Sequence, residues 1–290
     1  MRLKSKVYKA LESLLGRRFL FRVGRFLYLR ARRDFPNNIH TNGELMIQNN
    51  VLKGCSSEER IVIFDVGANV GEWTSFVLAQ AAKLGVKDRL RIYAFEPVPH
   101  LYDLLINRFS KEAVVVPINQ ALSSQKGIKK MFVVGGRAGT SSLHPVPIDQ
   151  QTDEIEITAT TIDDFCLIHK IDKIHLLKVD TEGHDMEVLL GAETVLSNGA
   201  ILVCQFEYNH RWIFSRHYLK DVFDFIEGMP YIFGKVTPYG IEVFESWYPE
   251  LDRFFESNYV LINKTCIGWF DKLSVISFNG SISVINKKVG

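Results

Sequence analysis

The chain has 290 residues, of which 47% are apolar and 12% aromatic, enough for one sizeable core and unlike a disordered or low-complexity chain. The net charge of +2 hides a basic start: residues 1–34 carry eleven Lys or Arg against two acids, so the remainder is acidic. The four cysteines (Cys55, Cys166, Cys204, Cys266) have no CxxC spacing, which excludes a zinc ribbon or disulfide framework and fits free buried thiols.

Residues 3–33 read as a basic amphipathic helix or helix pair. Leu3, Val7, Leu11, Leu14 and Leu15 keep a three-to-four spacing, and Phe19, Phe21, Val23, Phe26, Leu27 and Leu29 continue an apolar face. Packing against the domain is the preferred reading. A membrane-surface helix or a basic wall for an anionic substrate are the alternatives. No apolar run has transmembrane length and no secretory signal pattern is present, so the expectation is a cytoplasmic protein, with peripheral membrane contact through residues 1–34 as the variant. Pro36-Asn37-Asn38 breaks the helix, and residues 37–60 read as a polar connector with a short helix at Glu44–Leu52. The division expected is residues 1–59 as helical extension and connector, and 60–290 as one domain.

Ile61-Val62-Ile63-Phe64 reads as a strand covered on both faces, ending at Asp65 and running into the glycine turn Gly67-Ala68-Asn69-Val70-Gly71. A helix over 72–84 follows. The next strand is 91–95, ending at Glu96-Pro97, and Pro99 opens a helix, as proline suits a first helical turn. A strand at 114–118 ends at Asn119. The strands at 128–134 and 154–160 read as an inserted antiparallel pair around a mobile Gly/Ser/Pro-rich loop, 135–150. Another buried strand, 174–179, ends at Asp180 and leads into a helix from His184 to Leu196, stopped by Asn198-Gly199. The strand 200–206 ends at Glu207, and a helix spans 218–226. Strand-like segments at 231–236, 241–244 and 259–262 suggest an antiparallel closing hairpin at a sheet edge.

Asp65, Glu96, Asn119, Asp180 and Glu207 thus fall at the carboxyl ends of strands, where an open α/β sheet forms its ligand crevice. The turn lacks the G-x-G-x-x-G that lets backbone approach a pyrophosphate. A carboxylate at Asp65 would repel a pyrophosphate and attract a sulfonium or ammonium group. S-adenosylmethionine has that charge pattern, and Glu96 is placed to accept from ribose hydroxyls. Glu96 suits a dinucleotide equally, so an NAD-dependent oxidoreductase is the alternative.

Several segments in order resemble the FkbM-type, S-adenosylmethionine-dependent methyltransferases. They are Asp65–Gly71 with Thr74; Ala94–Pro99 with Leu105 and Asn107; Asn119–Ser123; Thr140–Leu143; Thr161–Phe165; and Lys178–Ala192, together about residues 60–207. The resemblance implies a Rossmann-like class I methyltransferase fold and O-methylation of a hydroxyl, often on a sugar of a glycan, glycolipid or natural product. It further implies a cofactor pocket lined by Asp65, Gly67, Ala68, Asn69, Gly71, Glu96, Pro97, Asn119 and Asp180, with Thr74 on the capping helix and Ser141 and Ser142 closing over it.

Methyl transfer to a sugar hydroxyl needs positioning and a proton acceptor. His184 is the first candidate base, Glu207 the second and Glu182 the third. Asp180, Glu182, His184 and Glu207 would also suit a divalent cation such as magnesium, although a metal-free site is preferred because the spacing is not diagnostic. Tyr208, Trp212 and Trp73 read as core in preference to a sugar platform. The partner expected is a small-molecule or saccharide acceptor. Nucleic acid is not expected, since the basic residues sit at one end of an otherwise acidic chain. A non-catalytic membrane-surface protein remains the other alternative.

Overall fold

The computed structural model describes residues 2–35, 37–134, 141–144, 152–279 and 283–288. The extension forms α1 (Arg2–Leu15) and α2 (Arg17–Ala31), divided at Gly16, whose φ of 76° lies in the left-handed region. The expected packing of its apolar face against the domain is corrected here, because no residue of α2 is buried. Contact with the domain gathers at the end of α2, where Tyr28 meets Phe255 edge-on at 5.9 Å and Arg32 donates to the Glu250 carbonyl. The connector is less separate than its polarity suggests. In α3 (Glu44–Gly54), Ile47, Val51 and Leu52 are fully buried in the core beside Trp73 and Val77.

The alternation after residue 60 appears as β1 (Ile61–Val66), α4 (Glu72–Lys83), β2 (Leu90–Phe95), α5 (Pro99–Arg108) and β3 (Val115–Ile118). A separate three-stranded sheet then holds β4 (Ala121–Leu122), β5 (Gly127–Val134) and β6 (Thr152–Thr160). β5 and β6 are the expected antiparallel pair, and β4 adds a parallel edge that the sequence did not suggest. The 135–150 loop, apart from 141–144, lies outside the described residues. An unforeseen helix α6 (Ile162–His169) is capped by Thr161, whose Oγ1 accepts from Asp164 N at 2.9 Å.

After β7 (Ile174–Val179), the single helix read at 184–196 is two, α7 (Asp185–Leu190) and α8 (Glu193–Ser197). A Cβ at Gly191, at the break, would lie 2.1 Å from the Ser123 carbonyl oxygen. Asp163 supplies the second start, accepting from Thr194 N and Val195 N at 2.9 and 3.0 Å. There follow β8 (Ile201–Tyr208), α9 (Trp212–Ser215), α10 (Leu219–Phe225), β9 (Tyr231–Thr237), β10 (Gly240–Phe244), β11 (Ser257–Asn263), β12 (Leu273–Asn279) and β13 (Ser283–Lys288).

The large sheet runs β13-β12-β10-β9-β11-β8-β7-β1-β2-β3. β3, β2, β1, β7 and β8 are mutually parallel, and β11 inserts antiparallel to both β8 and β9. This is the Rossmann-like, doubly wound α/β sheet that the resemblance implies. The closing hairpin β9–β10 forms but does not end the sheet, since β12 and β13 continue past it. Both faces are covered, which explains a first strand without alternation: Val62, Phe64 and Val66 pack towards α6–α8, while Ile61 and Ile63 pack towards α3 and α4. All four cysteines are free and buried. Among the described residues no helix is long and apolar enough to cross a membrane.

Candidate functional site

From β1 the chain winds outward through β2 to β3 and then returns to β7 on the other side. The sheet therefore opens a crevice between the carboxyl ends of β1 and β7. Two loops cross there at close range. Asp180 N donates to Val66 O at 3.0 Å, and a Cβ at Gly67 would lie 2.0 Å from the Asp180 carbonyl oxygen. Gly67, with φ of 79°, is thus required both by its backbone and by its neighbour. The crossing is followed by a cavity of about 280 Å³, and Gly67, Ala68, Asn69, Glu96, Pro97, Ser141, Asp180, Glu182 and His184 all line it.

Glu96 organises the turn. Its Oε2 accepts from Asn69 N at 2.8 Å and its Oε1 from Val98 N at 2.9 Å, while Asn119 Nδ2 donates to the carbonyls of Glu96 and Pro97. Burial raises the Glu96 carboxyl to about 7, against the pull of the two backbone N–H groups. Asn119 holds the turn and is not part of the lining, and neither are Asp65, Gly71 or Thr74. A Cβ at Gly71 would meet the Phe109 ring at 2.4 Å, so that glycine serves the approach of α5.

Asp65 does not stand as a lone carboxylate awaiting a cation. It is fully buried, accepts from Thr74 Oγ1 at 2.7 Å and faces Lys178 Nζ at 3.5 Å, across the parallel register that pairs residue 65 with 178. Lys178 also lies 3.3 Å from Asp180 and 5.8 Å over the Trp73 ring. Burial disfavours its charge, yet Asp180 and Asp65 hold its pKa above the ordinary lysine value. Lys178 was missed by the sequence analysis, because the register that sets it beside Asp65 joins two strands far apart in the chain.

Asn37 and Glu44 were missed as well. Both come from the connector and line the cavity. Asn42 Oδ1 accepts from Glu44 N at 3.1 Å, turning the chain into α3, and Gln205 Nε2 donates to Glu44 Oε2 at 2.8 Å. Glu207 lies within β8 and not past its end. It is buried outside the lining, and its oxygens accept from Asn37 Nδ2 at 2.8 Å and Asn209 Nδ2 at 2.6 Å. Burial, then Asp180 and Glu182, push its carboxyl well up. Tyr208 and Trp212 are fully buried core, and Trp73 is on the cavity wall.

Glu182 holds a left-handed φ of 55°, and its Oε2 sits 3.1 Å from Arg211 Nε. Burial and the Asp180 charge raise its carboxyl above the ordinary range, with Arg211 opposing. Ser142 Oγ donates to the Glu182 carbonyl at 2.9 Å, which ties the inserted sheet to this loop. His184 has both ring nitrogens engaged, Nε2 with Ser123 Oγ at 3.0 Å and Nδ1 with His144 Nε2 at 3.1 Å. Burial, and next His144, lower it to about 3. Among the described residues no three His, Cys, Asp or Glu side chains converge as a metal site. The four candidate ligands are instead occupied by Lys178, Arg211, Ser123 with His144, and two asparagines.

Behind His184, Glu187 accepts from Ser124 Oγ and from His217 Nε2, the latter at 3.1 Å. Chiefly through the His217 hydrogen bond, Glu187 is lowered to about 2, and Glu187 raises His217 in turn. The carboxylate's contribution to stability is present above its unfolded pKa and is lost on acidification. The imidazolium's is present below its unfolded pKa and is lost as pH rises through the folded one. His217→Gln should therefore cost about 1 kcal/mol between pH 4.5 and 6.5 and less at either side. Denaturation of both proteins across pH checks this, and a difference that does not vary with pH contradicts it.

The cavity fits the group implied by the resemblance. Asn69 Oδ1, Trp73 Nε1 and Thr181 Oγ1 are buried on its wall with no hydrogen-bond partner among the described residues. Phe95, Leu101, Leu122 and Met131 add an apolar slot beside Glu96. Polar atoms and an apolar slot together suit a nucleoside.

A family model described as Methyltransferase FkbM domain matches residues 65–233. Hexuronic acid methyltransferase AglP of Haloferax volcanii is 29% identical over 150 residues, covering 49% of this chain and 54% of AglP. The 31-O-demethyl-FK506 methyltransferase FkbM of Streptomyces tacrolimicus is 26% identical over 160 residues, covering 46% of this chain and 59% of that protein. The chain thus spans somewhat over half the length of these curated relatives. The crystal structure of Methyltransferase FkbM from Methylobacillus flagellatus overlays with a TM-score of 0.44 at 18% identity, over 73% of this chain and 47% of that one.

Proposed function

Since the chain belongs to the FkbM-domain methyltransferase family, we propose that it transfers the methyl group of S-adenosylmethionine to a hydroxyl of a saccharide. The observation that carries the donor half is the set of three buried polar atoms, on residues that line the cavity with Glu96, that have no hydrogen-bond partner among the described residues. Glu96 would hold the ribose hydroxyls with the lone pairs that its two backbone donors leave over, and Leu101, Leu122 and Met131 would enclose the base. The donor, when bound, supplies a methyl group already activated by positively charged sulfur. What remains for the chain is to align the acceptor and to take up its proton.

The role of base passes from His184 to Glu182 in this reading. An imidazole lowered to about 3, with both nitrogens engaged, is a weak proton acceptor. Glu182 lines the cavity, and its raised carboxyl lies closer to neutral pH, where a general base works best. Glu207 is held beneath by Asn37 and Asn209, where it would shape the wall. A saccharide acceptor is supported by AglP, which is by name a hexuronic acid methyltransferase.

Labelled methyl donor offered with hexuronic acids, neutral hexoses and non-sugar alcohols tests the reading. Label appearing in a sugar ether is the expected result; label only in non-sugar hydroxyls would overturn the acceptor assignment. Glu96→Ala should weaken donor binding by about tenfold or more, the value of at least one hydrogen bond to a charged group. Unchanged affinity in calorimetry would remove Glu96 from the donor site.

A further inference from the structure

We propose that α1 and α2 are a docking surface for an anionic lipid bilayer, with their apolar arcs seated at the headgroup level and their basic arcs against lipid phosphates. Val7, Leu11, Leu14 and Leu15 follow i, i+4, i+7, i+8 along α1, which places them on one side of that helix. Phe19, Val23, Phe26 and Leu27 repeat the same spacing along α2. All eight are exposed, Leu14 by 79% and Leu27 by 59%. Single exposed apolar residues are ordinary, but two contiguous stripes ending a chain's first helices are not.

Charge identifies the occupant. Arg18, Arg22 and Arg25 run at i, i+4, i+7 beside the apolar stripe of α2, and all three are exposed. Residues 1–34 hold eleven basic side chains and two acids, while the rest of the chain is net acidic. A surface presenting both negative headgroups and hydrocarbon satisfies the two arcs at once. The domain of a second copy is acidic, but its exposed large apolar residues fall on separate elements, such as Leu104 on α5, Ile128 on β5 and Leu167 on α6. Among the described residues of the domain no apolar stripe is present to match. The helices have 14 and 15 residues, short of the roughly 20 needed to span a bilayer, so lying in the interface is the geometry left to them.

The surface is joined to the catalytic cleft. Arg25 and Arg32 each stack 5.8 Å from the Phe255 ring, Arg32 pairs with Asp34 at 2.9 Å, and Lys235 from β9 also contacts Asp34. The chain then reaches Asn37 on the cavity wall, at most about 20 Å of extended backbone beyond Ala31. Docking would hold the lip of the cleft near the bilayer.

Co-sedimentation of the full chain with vesicles tests this, using neutral phosphatidylcholine alone and phosphatidylcholine mixed with anionic phosphatidylglycerol, at low and high salt. Binding to the anionic vesicles, weakened by salt and small on the neutral ones, is expected. Phe26→Glu combined with Leu27→Glu should reduce that binding by about tenfold or more, with the melting temperature of the domain unchanged. A chain that stays in the supernatant with anionic vesicles would overturn the proposal. So would full binding by the double variant, or a dimer in sedimentation velocity that the double variant dissociates, which would give the stripes to a second copy.

Discussion

Glu182→Gln is expected to lower kcat by about 10²-fold or more, with affinity for S-adenosylhomocysteine unchanged. Glutamine keeps the shape and a polar contact to Arg211 but cannot accept a proton. The sign of the pH dependence follows from the environment. Burial and the Asp180 charge favour the protonated carboxyl, and Arg211 only partly offsets them. The base acts when deprotonated, so kcat should climb with pH along a limb displaced above the ordinary carboxylate range. The variant should lose that limb. His184 as base would place the limb near pH 3, far below it. A variant with full turnover and an intact limb would transfer the role to Glu207 or water.

Lys178→Met should destabilise the fold by about 3–5 kcal/mol, the usual cost of leaving buried charge without its partner. The ammonium sits between Asp65, which is fully buried, and Asp180, at 3.5 and 3.3 Å. Methionine fills the volume beside Trp73 but leaves Asp65 with the Thr74 hydroxyl as its remaining donor. Adding Asp65→Asn should return a large part of the loss, because the uncompensated charge is then gone. Urea denaturation of the two variants checks both statements. A single variant as stable as the parent chain would show that Lys178 does not neutralise the strand ends.

These two residues also mark how far the sequence carries. The parallel core was legible because burial on both faces writes itself as unbroken apolar runs, as in β1 and β7. Glu96, Asn69 and Gly67 were legible because strand ends and glycine turns are local features. The partner of Asp65 was not, since the 65–178 pairing joins residues far apart in the chain. The same holds for the helix expected at 184–196, whose periodicity is good; it breaks where the Ser123 backbone leaves no space for a side chain at Gly191. Glu207 was placed at a strand end, yet β11 pairs Asn258 with Glu207 and Ser257 with Tyr208, extending β8 past it. Asn37 and Glu44 looked like connector because their polarity is spent on hydrogen bonds to Glu207 and Gln205, far away in the chain, which no local pattern shows.

Whether the crevice between β1 and β7 is a methyl-donor site is tested most directly by isothermal titration with S-adenosylhomocysteine, run in parallel with NAD. Saturable binding at one site per chain, weakened by Glu96→Ala and absent with NAD, is the predicted result. No heat with S-adenosylhomocysteine, or saturable binding of NAD in its place, would contradict it.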